Sequence, residues 1–172
     1  MMTLSNALGS MVVTTGNKSE LSVGYATIYG DMNGGFNPIK DLYKTEVYRL
    51  CALRNRWRPP DGKGPAGPVI PSRILTKPPS AELREGQTDQ DTLPPYELLD
   101  RILDALVERE ESIAELIAEG YDADTVRKVA RLLRLAEFKR RQAAPGPKVT
   151  SRNFGRDRRY PVTNAFREED CR

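Results

Sequence analysis

The chain has 172 residues, 30% charged and 38% hydrophobic, with a net charge of +3, a balance that points to a soluble protein with one sizeable core. Apolar runs are too short for a membrane span, and the opening MMTLSNALGSMVV lacks the apolar centre of a secretory signal. Histidine is absent, which excludes Ser-His-Asp and Cys-His catalysis, His-ligated zinc and every imidazole base.

In chain order, MVVTT at residues 11–15 reads as a short buried strand. Asn17 or Ser19 can cap a helix over 19–29, with Glu20 in the first turn where the helix dipole favours negative charge. The segment GDMNGGFNPIKD is too rich in Gly, Asn and Asp to continue it. Asp41 is expected to cap a helix over 41–54, with Val47, Leu50 and Cys51 on its apolar side. Residues 56–96 hold nine of the thirteen prolines and should be irregular, apart from a helical turn at PSRILTK. A loop of that length covers a site or docks on something.

From residue 97 the pattern is helical. Leu98, Leu99, Ile102, Leu103, Leu106 and Val107 form one stripe over 97–109. Ser112 and Glu115 make a capping box for a helix over 112–119, which Gly120 ends. Asp122 or Asp124 caps a helix over 124–139, with Val126, Val129, Leu133 and Ala136 inward and Arg127, Lys128, Arg131 and Arg134 outward. The divisions expected are 1–55, 56–96, 97–141 and a basic tail over 142–172, all parts of one domain. Cys51 and Cys171 suggest neither a disulfide framework nor a zinc site, so a reducing cytoplasm is the default.

Charge is segregated. Glu82 to Asp124 carries fourteen acidic and three basic residues, whereas Arg127 to Arg159 carries twelve basic and two acidic. The basic block reads as a solvated helix face, a salt-bridge partner for the acidic stretch, or an anion site. Three short helices ending in a basic one also admit a helix-turn-helix, although no base-reading Asn/Gln cluster or aromatic interleaving accompanies it.

Four stretches, TTGNKSE, GYATIYGDMNGGFNPIKDLYKTEVYRL, KPPSAELREGQTDQDTLPPYELLD and EFKRRQAAPGPKVTSRNFGRDRRYPVTN, resemble in order the C-terminal part of NAD synthetases, most closely the glutamine-dependent type. The resemblance implies a helix-rich α/β fold, part of the Rossmann-like ATP-pyrophosphatase architecture. It implies ATP-dependent amidation of deamido-NAD to NAD through an acyl-adenylate, with magnesium and with ammonia drawn from glutamine or supplied free. Matched by motif, Thr15, Lys44 and Ser80 are the ATP-contacting positions. Glu20 is the carboxylate at the magnesium and deamido-NAD site, and Lys139 contacts deamido-NAD. An ammonium suits a polyphosphate, and a carboxylate can face phosphates only across a cation.

Taken without the resemblance, Glu20 reads as a first-turn acid, Lys44 as a surface charge and Thr15 as a strand-end hydroxyl; Arg140 and Arg141 stay open between the site and a neighbouring acidic helix. The short ammonia-dependent relatives carry a lysine where Ile28 stands and an aspartate near Gly35, and their absence agrees with the glutamine-dependent branch. The family's phosphate loop, Ser-Gly-Gly-x-Asp-Ser, does not occur in the sequence, so the chain is expected to begin within the family's sheet and to be inactive alone. The alternative is a non-catalytic remnant, or a basic helical module for anions or nucleic acid. A homo-oligomer is expected for the family.

Overall fold

The computed structural model describes residues 1–80, 86–163 and 165. Its helices are α1 (Met2–Leu8), α2 (Lys18–Val23), α3 (Lys44–Arg56), α4 (Ser72–Thr76), α5 (Tyr96–Asp104), α6 (Ile113–Ala118), α7 (Ala123–Leu135) and α8 (Glu137–Arg140), with a 3-10 turn at Asp89–Asp91. The strand expected at residues 11–15 reduces to one parallel bridge between Val13 and Phe36. Thr14 N–H donates to Phe36 O and Gly35 N–H to Val12 O, both at 2.9 Å. Among the described residues no further strand lies alongside to extend the ladder.

The core is built where the apolar stripes meet. Leu99, Ile102, Leu103 and Val107 pack with Leu116, Val126, Val129 and Leu133, and Val23 joins them from α2. The inward set expected for α7 is buried, Ala136 included. Helix α5 differs from the continuous helix expected: its hydrogen bonding widens into a π turn over Ala105–Arg109, closed by Glu110 in the left-handed conformation (φ 59°). Such a turn absorbs an extra residue, a feature often found at functional positions. Here it sets Glu108 against Lys18.

Helix α2 is shorter than the 19–29 expected. Asn17 and Glu20 form a capping box at its start, and Gly24 ends it at φ 72°. A Cβ on Gly24 would also meet the Ala136 Cβ at 3.0 Å, so a glycine is required twice over. Asp41 does not cap α3; Tyr43 holds that position. Asp41 is instead buried, taking N–H donors from Val149 and Thr150 at 2.7 and 2.8 Å and facing Lys18 Nζ at 3.0 Å. A carboxylate with a buried cation and two amide donors has a deeper well there than at a helix end. No residue of α3 is fully buried, and Leu50 and Leu53 are exposed.

The basic block is paired partly within itself and partly with the acidic one. Glu137 pairs with Arg140 at 3.0 Å and with Arg141 at 2.9 Å, and Glu110 pairs with Arg152 at 2.6 Å and Arg158 at 3.1 Å. Arg140 is buried against the Phe154 ring, 4.6 Å to its centroid, and donates to the carbonyls of Leu21, Ser22 and Leu133. Its burial depresses the guanidinium pKa against the opposing pull of Glu137. Of the three readings of the basic block, the salt-bridge partner for the acidic stretch is the one Arg152 and Arg158 adopt, whereas Arg140 and Arg141 are held by Glu137 of their own block. Among the described residues no helix is long and apolar enough to cross a membrane.

Candidate functional site

A cleft of about 850 Å³ opens between α2, the start of α3, Ile74, residues 77–80, Gln87, Asp89 and α8. Thr15, Glu20, Lys44, Ser80 and Lys139, the five residues singled out by motif, all line it. They are drawn from across the chain, and only the fold makes them neighbours.

Thr15 is exposed at the mouth, just before the α2 cap. The capping box fixes Glu20, whose Oε2 accepts from Asn17 N–H at 3.1 Å while Oε1 faces Lys44 Nζ at 2.9 Å. Lys44 is held from below, because its backbone N–H donates to Ser19 Oγ at 2.8 Å and the Ser19 hydroxyl donates in turn to buried Asp100. Its ammonium sits over the Tyr96 ring, 5.4 Å from the centroid. Burial works against that charge, but Glu20 outweighs it and holds the Lys44 pKa above the ordinary value. Lys44 therefore stays cationic across the physiological range.

Lys139 reaches the cleft from α8. Its ammonium donates to the carbonyls of Gly24 and Ala26, both at 2.7 Å, and so pins the turn that ends α2. An ammonium has three donors, which leaves a third for a ligand. Ser80 lies on the far wall in the Pro-rich segment. The remainder of its motif, 81–85, the end of the fourth stretch at residue 164 and Cys171 fall outside the described residues.

Several cleft residues lie in the quoted stretches but are not singled out as contacts. Tyr25, Tyr48, Gln87 and Asp89 line the same space. Gln87 Nε2 donates to the Tyr25 hydroxyl at 3.2 Å, and the Tyr96 hydroxyl donates to Asp89 Oδ2 at 2.6 Å. Burial first, and the charge of Asp89 second, push the Tyr25 phenol up; burial and the bond to Asp89 do the same to Tyr96. Both phenols remain protonated donors at neutral pH. The hint lay in QTDQD, polar residues set between two proline pairs, but nothing local says that their side chains turn inward.

Behind the cleft, Lys18 is fully buried. Its ammonium contacts Asp41 and Glu108, donates to the Thr150 hydroxyl and Arg152 carbonyl, and lies 5.2 and 5.6 Å from the Tyr43 and Phe154 ring centroids. This hub ties the first turn of α2, and hence Glu20, to the π turn and to the C-terminal segment.

Size, mixed charge and hydroxyl lining define a pocket for a polar ligand on the scale of a nucleotide. The sequence profile of the NAD synthase family matches residues 1–143, and the chain belongs to that family. A glutamine-dependent NAD(+) synthetase of Xanthomonas campestris pv. campestris (strain 8004) is 59% identical over 166 residues, covering 96% of this chain and 29% of that protein. One from Rhodobacter capsulatus is 56% identical over 169 residues, covering 98% and 31%. The chain thus spans roughly three tenths of the length of the curated relatives it matches. The crystal structure of a glutamine-dependent NAD(+) synthetase from Cytophaga hutchinsonii superposes with a TM-score of 0.67 at 24% identity, over 95% of this chain and 26% of that one. That likeness gives the fold, part of the synthetase architecture.

Proposed function

We propose that the chain supplies one wall of a site for ATP-dependent amidation of deamido-NAD to NAD, acting as part of a glutamine-dependent synthetase in the cytoplasm. The convergence of Thr15, Glu20, Lys44, Ser80 and Lys139 on one cleft is the observation that carries the reading. In the reaction, the deamido-NAD carboxylate attacks the α-phosphorus of ATP. The bond to the bridging oxygen breaks and pyrophosphate leaves with the electron pair. Ammonia then attacks the acyl carbon, a C–N bond forms, the acyl–phosphate C–O bond breaks, and AMP and a proton depart.

Lys44, whose ammonium pairs with Glu20 and lies over the Tyr96 ring, would contact a phosphate oxygen of ATP. Thr15 and Ser80 offer hydroxyls to ATP, and the third donor of Lys139 faces deamido-NAD. Magnesium would be held through Glu20, and the residues fit it. Oε1 already presents a position occupied by a cationic group, Lys44 Nζ at 2.9 Å. Such an ion takes one or two carboxylates and fills its shell with phosphate oxygens and water. Bound there, it supplies charge neutralisation on the departing pyrophosphate.

Arg140, Arg141, Arg152 and Arg158 are engaged by Glu137 and Glu110 and so are withdrawn from the nucleic-acid reading, whose remaining cations are those on the outer face of α7. The test is a chimera in which this chain replaces the matching segment of the Xanthomonas enzyme. It should form NAD from deamido-NAD. In that background Glu20→Gln should lower turnover about a hundredfold or more with little change in ATP KM, since the charge matters most as the leaving group develops. Lys139→Ala should raise the deamido-NAD KM about tenfold through loss of a ground-state contact. Arg131→Ala, an exposed charge on α7, should stay within about twofold. A folded but inactive chimera, or an Arg131 effect equal to the other two, would overturn the assignment.

A further inference from the structure

Lys44 is gripped at both ends from one turn of α5. Its ammonium lies over the Tyr96 ring, and its backbone is tied, through Ser19, to Asp100 one turn further along the same helix. Asp100 is 6% exposed and Ser19 is fully buried, and neither lines the cleft. The Ser19 hydroxyl donates to Asp100 Oδ1 and accepts Lys44 N–H at 2.8 Å, while Thr45 N–H donates to Asp100 Oδ2 at 2.9 Å. Lys44 and Thr45 open α3, so these are N–H groups with no partner inside the helix. A carboxylate is a strong acceptor for such donors, and the helix dipole adds to the attraction. Each helix start thus divides its work between neighbours: Glu20 and Lys44 line the cleft, whereas Ser19 and Thr45 bond the carboxylate. Burial pushes the Asp100 carboxyl up against the pull of Ser19 and Thr45, so the group sits where solvation alone would not place it.

We propose that Asp100 is a positioning residue for ATP: through Ser19 and Thr45 it fixes the start of α3 against the start of α2, and so holds Lys44 and Glu20 in register in the cleft. The ligand rests on the reaction proposed above; the junction does not. Local caps cannot do this work. The box at Asn17 and Glu20 closes α2 on itself, and Glu46 closes α3 by accepting Tyr43 N–H at 2.8 Å, but neither reaches the other helix. Asp100 reaches both. The register matters because Glu20 Oε1 and Lys44 Nζ stand 2.9 Å apart, and a misplacement of about 1 Å in such a pair can cost on the order of a hundredfold. An asparagine is a poor substitute. It offers one acceptor oxygen and a donating amide where a hydroxyl and an N–H both donate, so one of the two contacts is lost.

Two measurements test it, and neither needs turnover. In the 172-residue chain, amide hydrogen exchange is followed by NMR. Asp100→Asn should speed exchange at Lys44 and Thr45 about tenfold or more, while the last turn of α3 keeps its protection. Ser19→Ala should expose Lys44 N–H but leave Thr45 N–H protected, a reading that survives if Asp100→Asn does not fold. In the chimera with the Xanthomonas enzyme, ATP and deamido-NAD affinities are measured separately by calorimetry. Asp100→Asn and Ser19→Ala should each weaken ATP about tenfold, the effect of losing a hydrogen bond to a charged group, and change deamido-NAD by less than about twofold. Combined, they should weaken ATP little more than the stronger single change, because they break one chain of bonds. Glu97→Gln, an exposed carboxylate on the same helix, is the control and should alter neither affinity. Unchanged exchange at Lys44 and Thr45, equal losses for the two substrates, or additive effects of the two changes would overturn the proposal. A chimera that shows these losses but forms no NAD would defeat the amidation reading alone; full turnover with ATP affinity untouched in Asp100→Asn would defeat the positioning role alone.

Discussion

Replacing Lys18 by methionine keeps most of the stem and deletes the ammonium at the hub. The Lys18 side chain is 0% exposed, against 1% for Asp41 and 11% for Glu108, so the two carboxylates would be left facing each other with little water. Breaking a buried pair from one side costs about 3–5 kcal/mol. The lower part of that range is expected. Asp41 keeps its Val149 and Thr150 donors, and Glu108 keeps the Ser151 hydroxyl and Arg152 N–H. Against a typical domain stability of about 5–15 kcal/mol, the loss is large, and the melting temperature should fall on the order of 10 °C.

The effect should depend on pH with a definite sign. Burial alone would raise both carboxyls, but for Asp41 the Thr150, Val149 and Lys18 donors prevail, and for Glu108 Lys18, Ser151 and Arg152 do; both end below their ordinary values. A carboxyl depressed in the folded state contributes stability above its unfolded pKa and loses it as pH falls through the folded one. Deleting Lys18 removes part of that depression. The gap between the native chain and Lys18→Met is therefore full near neutrality and narrows once pH drops below about 4. Urea titrations followed by far-ultraviolet circular dichroism at the two pH values measure it. A loss under about 1 kcal/mol, or one that is the same at both pH values, would mean the hub is solvated like a surface pair.

Tested alone with ATP, magnesium, deamido-NAD and ammonia, the 172-residue chain should release no pyrophosphate above background, because the sequence lacks the loop whose amides would hold the leaving group; robust NAD formation would refute this. Val13 is 53% exposed and Met11 69%, beside a bridge whose other edge has no strand among the described residues, so Val13→Lys should reduce concentration-dependent self-association in light scattering. Indistinguishable scattering from the two proteins would remove the edge from consideration. Gly146→Ala would set a Cβ 2.2 Å from the Asn37 carbonyl oxygen and 2.9 Å from the Lys40 Cβ. It should cost about 1–3 kcal/mol in a thermal melt, and an unchanged melt would show that this loop yields freely.

The sequence by itself determined what is local or periodic. The stripe from Leu98 to Val107, the inward face of α7 and the Ser112–Glu115 box need only the 3.6-residue repeat and a hydroxyl three residues before a carboxylate, and these appear as read. The motif resemblance picked five residues that share a cleft. What only the tertiary structure decided depends on partners far along the chain. Asp41 looked like a cap because no sequence rule announces that Lys18 and the amides of Val149 and Thr150 will surround it. The MVVTT segment has strand chemistry, yet a strand exists only where a neighbour supplies a ladder, and here Phe36 supplies a single bridge. Arg140 could have faced a ligand; a buried Glu137, three carbonyls and the Phe154 ring claimed it instead.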